Sequence, residues 1–216
     1  MIDESGVGEV DEEPEREQAQ AGGNRQALIQ AAYARIATEG FEGLRTRDVA
    51  ADAGVNIGTL HYYFPSKEAL IRAAAQHMFQ QFFATLSDAG APLDPLRRHL
   101  DALRHLLKTD QTLWAVGSEV ALRAARDSII ADMLHQSEDG WYGFLHGQLV
   151  QGIAAGILDA SLQPEDAAVT LMAAIKGLSM PWPGAFRPGQ IDQTFEQLQR
   201  WLGLSAATTS PEPRES

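Results

Sequence analysis

The sequence predicts an all-α protein, on three observations. Apolar residues recur at three- and four-residue spacing from Asn24 almost to the C-terminus. Glycine and proline interrupt that pattern at points suited to helix ends. No run alternates apolar and polar residues as a half-buried strand would, and no internal repeat is visible. The 216 residues are 44% hydrophobic and 21% charged, an ordinary balance for a chain that buries a core. Zero cysteines exclude disulfides, thiolate metal sites and a cysteine nucleophile. No apolar stretch approaches the ~18 residues of a membrane span. The N-terminus opens with acids, without the basic and apolar regions of a secretory signal, so a cytoplasmic location is expected.

Residues 1–23 hold eight acids, one base and few large apolar side chains. High charge with little to bury predicts a disordered acidic tail, the alternative being an arm that competes for a basic face. A first helix then carries Leu28, Ile29, Ala32, Ile36 and Ala37 on one stripe and stops at Gly40. Thr46 is the expected N-cap of a short second helix, with Asp48 in its first turn and Val49, Ala50 and Ala53 inward. Gly54 ends it. Asn56 caps a third helix over Ile57–Phe64, which Pro65 closes. Ser66 caps a long fourth helix running to about Ser87. Two short helices joined by a tight glycine turn, behind a longer one, describe a helix-turn-helix, although a plain helical hairpin shares the same period.

The rest reads as helix after helix: Pro95–Lys108, Thr112–Arg126, then Ser128–Leu158, where Gly140, Gly143 and Gly147 suggest a break or a close crossing. Pro164 opens another helix, with Glu165 and Asp166 in its first turn. A rigid loop, Pro181-Trp182-Pro183-Gly184, precedes a last helix from about Gln190 to Leu204. Net charge is −12, yet residues 24–77 hold six bases against five acids and form the only section that is not acidic. Charge therefore permits a nucleic-acid partner if the bases share one face.

The run Leu44-Arg-Thr-Arg-Asp-Val-Ala, then Ala53-Gly-Val, then Gly58-Thr-Leu-His-Tyr-Tyr-Phe-Pro-Ser-Lys-Glu-Ala-Leu70, resembles the DNA-binding domain of the tetracycline-repressor (TetR) family. The likeness covers about residues 24–75, and the later helices match only in number, length and order. It implies an N-terminal three-helix helix-turn-helix domain at 24–70, joined through a long helix to a helical ligand-binding and dimerisation domain at 71–207. The acidic tail at 1–23 and a loose tail at 208–216 flank them. It also implies a ligand-responsive transcription regulator, usually a repressor, acting as a homodimer on a palindromic operator, with no cofactor, metal or membrane partner.

By that resemblance the DNA-contacting positions are Thr46, Arg47, Ile57, Gly58, Thr59, His61, Tyr62, Tyr63 and Lys67. Their chemistry suits the task. Gly58 and Thr59 keep bulk out of the groove, and the Thr59 methyl can meet a thymine methyl. His61, Tyr62 and Tyr63 can donate to phosphates. Thr46 and Arg47 add donors at a helix N-terminus, and Lys67 does so at the next. Ile57 excludes hydrogen-bond readout at its position. The family more often shows Tyr at position 61 and His at 63, so base preference does not carry over. Most of these contacts are to phosphate, which positions without specifying. Two copies on a symmetric dimer restore specificity, with half-sites ~34–36 Å apart or multiples of that.

Within residues 78–158, Phe82, His99, Leu103, Trp114, Glu119, Met133, Trp141 and Phe144 are the candidate lining of a small-molecule effector chamber, each with core packing as its plain alternative. Glu119 stands out, because a carboxylate among apolar helices needs a partner or a cationic ligand. Leu171, Ile175, Leu178, Phe195, Leu198 and Leu202 on the last two helices are the candidate dimer interface, in a four-helix arrangement, the alternative being that they close the core. An enzyme is disfavoured: no Gly-x-Ser-x-Gly elbow, phosphate loop or His-Glu-x-x-His is present, and the six histidines are scattered. A helical adaptor dimer that does not bind DNA is the remaining rival.

Overall fold

The computed structural model describes residues 12–87, 89–180 and 189–204, with side chains from Gln20 onward. The described residues form helices only. They are α1 (Glu12–Gly43), α2 (Thr46–Asp52), α3 (Ile57–Tyr63), α4 (Lys67–Phe83), α5 (Asp94–Thr109), α6 (Gln111–Ala124), α7 (Ser128–Ala154), α8 (Pro164–Ser179) and α9 (Gln190–Trp201). The chain divides into two compact units, residues 1–77 and 78–216, with the boundary inside α4.

In the first unit, α1, α2 and α3 pack against one another. Their core is Leu28, Ile29, Ala32, Ile36, Phe41, Leu44, Val49, Ala50, Leu60, Phe64 and Leu70, all buried. α1 begins well before the expected start. Residues 12–23, read from sequence as part of a loose tail, are helical, because Glu, Gln, Ala and Arg favour helix strongly enough to carry Gly22 and Gly23. Residues 1–11 lie outside the described residues. At Gly40 the chain leaves helical geometry (φ 68°, ψ 176°), so the expected stop is present as a kink followed by one more turn.

Arg35 fastens α1 to α2. Its guanidinium donates to Asp52 at 2.5 and 3.1 Å and to Glu39 at 2.9 Å, with Asp48 3.6 Å away. That bond holds the Asp52 carboxyl below the usual carboxylate range. Three of the five acids of residues 24–77 are thus drawn onto one base.

In the second unit α7 packs on α6 and α8, and α5 packs on α6, α7 and α9. One core joins them, from Leu93, Leu96, Leu100 and Leu103 through Trp141, Leu145 and Leu149 to Leu171, Ile175, Phe195 and Leu202. Asp192 at the start of α9 accepts from Arg104 at 2.6 Å and from Lys108 at 3.0 Å, closing the α5–α9 seam. α4 ends at Phe83 and not near Ser87, in a turn where Thr85 and Leu86 donate to the carbonyls of Phe82 and Phe83. α7 is one unbroken helix, so its glycines cause no break. The close approach lies further along, at Gly152, where an added Cβ would meet Leu93 Cδ2 at 2.7 Å and Leu158 Cγ at 2.9 Å. The Pro181–Gly184 loop and the tail from Thr208 lie outside the described residues.

The six candidate interface residues lie inward. Leu171, Ile175, Leu178, Phe195, Leu198 and Leu202 are all buried within the chain's own core. The inward leucines of α5 and the apolar face of α7 need partners, and the single stripes of α8 and α9 supply them. Outward apolar groups on these helices are instead Val169 and Trp201.

Gly152 and Gly143 predict opposite responses to one substitution. Gly152→Ala is expected to lose about 1–3 kcal/mol in urea denaturation, from overpacking. Gly143→Ala, with no atom within 4 Å of its added Cβ, is expected to gain up to about 1 kcal/mol from helix propensity. Equal effects would contradict the packing described.

Candidate functional site: nucleic-acid interface and cavity

The turn between α2 and α3 is a Schellman motif. Val55 N–H donates to Ala50 O at 3.0 Å and Gly54 N–H to Ala51 O at 3.1 Å, with Gly54 at φ 69°. Asn56 caps α3 as expected, its Oδ1 accepting from Thr59 N–H at 2.9 Å. A Cβ on Gly58 would lie 3.1 Å from that oxygen, so the small residue there keeps the cap open. Leu60 and Phe64 anchor the helix in the core, and the Arg25 guanidinium lies 5.5 Å over the Phe64 ring.

The outward face carries the predicted set. Tyr62 is 81% exposed and Ile57 37%, and Gly58 and His61 are exposed as well. Tyr63 is half-buried, edge-on to Tyr62 with ring centroids 5.0 Å apart. Thr59 is half-buried near the N-terminal end of the same helix. Thr46 proves to be the first residue of α2 and not its cap. Arg45 occupies the cap position with extended backbone and makes no side-chain cap bond, which leaves the Thr46 hydroxyl uncommitted. Arg47 is exposed and makes no ion pair among the described residues, since Asp48 is held by Arg35. Lys67 differs: its Nζ donates to the Glu42 carbonyl at 3.3 Å, near the end of α1. Ser66 Oγ caps α4 by accepting from Ala69 N–H at 3.1 Å.

The second unit contains a cavity of about 280 Å³ bounded by α4, α6, α7 and α8. Met78, Phe79 and Phe82 come from α4, Leu113, Trp114 and Ser118 from α6, Leu134, Ser137, Glu138 and Trp141 from α7, and Ile175, Lys176 and Ser179 from α8. Of the eight residues proposed from sequence, Phe82, Trp114 and Trp141 line it, and His99, Leu103, Glu119, Met133 and Phe144 do not. The carboxylate of the wall is Glu138, paired with Lys176 at 2.5 Å. The spacing Leu134, Ser137, Glu138, Trp141 puts all four on one face of α7, which is the signal that would have selected it over Glu119.

His99 stands behind the wall, fully buried, with Phe82, Trp141 and Phe144 at ring-centroid distances of 6.0, 6.2 and 5.3 Å. Trp141 Nε1–H donates to His99 Nε2 at 2.8 Å. An indole nitrogen only donates, so Nε2 accepts, and His99 Nδ1–H donates to Thr85 Oγ1 at 2.9 Å. The Thr85 hydroxyl then donates to Phe82 O at 2.7 Å. The neutral imidazole satisfies the whole chain, and burial pushes the His99 pKa down to about 4. This histidine fixes the Trp141 indole from behind.

Comparisons with known proteins give the family. Residues 28–74 match the family model for bacterial regulatory proteins of the tetR family, and residues 92–203 match that for the C-terminal part of BetI-type transcriptional repressors. The chain belongs to the TetR family. It is 26% identical over 155 residues to the HTH-type transcriptional repressor KstR2 of Mycobacterium tuberculosis, covering 68% of this chain and 78% of that one. A TetR-family regulator from Rhodococcus sp. superposes with a TM-score of 0.68 at 26% identity, over 84% of this chain and 98% of the other. A regulator from Saccharomonospora viridis, solved with choline, shares the fold with a TM-score of 0.67 at 24% identity, over 82% and 94% of the two chains. As a TetR member the protein is a DNA-binding transcriptional regulator, a non-enzymatic role. No helix among the described residues is long and apolar enough to cross a membrane.

The His99 arrangement has a pH signature. The folded-state pKa lies below the ordinary value, so the contribution is complete above about pH 6.5 and is lost as pH falls towards 4. In urea denaturation the wild type is expected to lose up to about 1.4 kcal/mol per pH unit more than His99→Gln across that window. Parallel profiles would show that the imidazole is not held neutral.

Proposed function

We propose that this TetR regulator acts as a homodimer that reads a palindromic operator through α3, and that a small molecule in the α4–α6–α7–α8 cavity controls it. One observation carries the DNA part. The polar tips of Thr46, Arg47, Thr59, His61, Tyr62 and Tyr63 have no hydrogen-bond partner among the described residues, although they crowd onto two short helices. Groups of this kind at helix N-termini and on an aromatic face are donors ready for phosphate oxygens. Gly58 and Thr59 leave room for the backbone of α3 to approach base edges. Lys67 joins them by exchanging the Glu42 carbonyl for a phosphate.

A helix of seven residues distinguishes few base pairs, which is why two copies are invoked. A dimer built on α8 and α9 has to use outward groups such as Val169 and Trp201, because the inward stripes are occupied. Control by the cavity runs through α4, which begins at Lys67 in the reading head and ends among the cavity residues Met78, Phe79 and Phe82. An occupant alters DNA affinity only by the difference in its affinity for the DNA-competent and incompetent states.

Selection of random duplex DNA by the full-length protein at physiological salt tests this reading. A palindrome enriched by the wild type, and lost with Tyr62→Ala plus Lys67→Ala at unchanged helix content, is the expected result. Absence of enrichment after unfolding, dialysis and refolding, which strips any bound small molecule, would contradict it.

A further inference from the structure

The polar groups of the cavity wall say what kind of molecule belongs inside. The Trp114 indole donates to Leu106 O at 3.0 Å, and the Trp141 indole is taken by His99. The Ser118 hydroxyl donates to Trp114 O at 3.0 Å, and the Ser179 hydroxyl to Lys176 O at 2.8 Å. Glu138 and Lys176 neutralise each other across the wall. Ser137 is different. It lines the cavity, is only 9% exposed, and has no hydrogen-bond partner among the described residues. A hydroxyl in the middle of a helix ordinarily turns back to a carbonyl one turn earlier or faces water. Here it bonds to no carbonyl among the described residues and belongs to the cavity lining, beside aromatic and thioether surface.

We infer that the cavity takes an uncharged, largely apolar molecule with a single hydrogen-bonding group, an alkylphenol or a compact alcohol or ketone in type, whose polar atom meets Ser137. This deepens the effector reading above and rests on it. A cation or an anion would enter a wall whose only charges already cancel, and would lose its hydration without gaining a free partner. A molecule with many polar groups would leave most of them unpaired against Phe79, Phe82 and Leu113. The volume, about 280 Å³, exceeds the ~150 Å³ of an apolar cavity known to hold benzene, so one ring with a short substituent fits.

Three probes of matched size separate the classes: 4-ethylphenol, 4-ethylbenzoate and benzyltrimethylammonium, titrated into the full-length protein. Calorimetry and the fluorescence of Trp114 and Trp141, which form part of the wall, report binding. Expected is binding of 4-ethylphenol at least tenfold tighter than either ion. Ser137→Ala should weaken 4-ethylphenol about fivefold while leaving ethylbenzene, which has no polar group, unchanged. A charged probe binding as tightly as the phenol, an unaltered phenol affinity in Ser137→Ala, or no binding of any probe would each overturn the inference. Retention of the selected duplex is followed in the same titrations. Phenol binding with no change in DNA affinity would refute the effector reading and leave the ligand class standing.

Discussion

The functional half of the molecule depends on holding in place a helix too short to hold itself. α3 has seven residues, whereas isolated helices below about 12–15 residues are marginal in water. Its shape is therefore imposed from outside. The Schellman turn at Gly54 fixes where α2 ends, the Asn56 carboxamide satisfies the first turn of α3, and buried Leu60 and Phe64 hold its inner face in the core it shares with α1 and α2. With one face so committed, the other is free to be polar and aromatic. Each outward group can be chosen for an external partner without cost to the core.

The same division of labour recurs around the cavity. His99 has no direct access to the space, yet its Nε2 holds the indole of a wall residue and its Nδ1–H ties the end of α4 through Thr85. A buried hydrogen-bonded chain of this kind specifies geometry that apolar packing alone leaves loose. It also explains why α4 stops at Phe83: Thr85 has to turn out of helical register to meet the imidazole. The wall residues come from α4, α6, α7 and α8, whereas His99, which positions one of them, stands on α5.

Much of this was legible from the residues. Gly54, Asn56, Ser66 and Pro164 mark helix ends because backbone chemistry permits little else there, and each is found at the end it signals. Thr46 failed as a cap because Arg45 already had the extended backbone that the position requires. Periodicity showed that α8 and α9 each bury a stripe but not against what, since the pattern facing another copy is the same as that facing α5 and α7. The cavity was harder to read. Phe82, Trp114 and Trp141 were found as large aromatics on core-facing stripes, but Ser137, Glu138 and Lys176 are ordinary residues whose importance comes from neighbours on other helices. His99, one of the eight candidate lining residues, stands behind the wall, because sequence cannot show which side of a tryptophan a histidine stands on.

The central claim is that the exposed face of α3 meets DNA. It is tested most directly by a photo-activatable phenylalanine analogue at position 62, compared with the same group at Leu122, an exposed position on α6. On irradiation of the protein bound to its selected duplex, position 62 should cross-link to bases within each half-site and position 122 should not. Cross-linking from position 122 alone, with DNA still retained, would place the DNA on another surface and contradict the account.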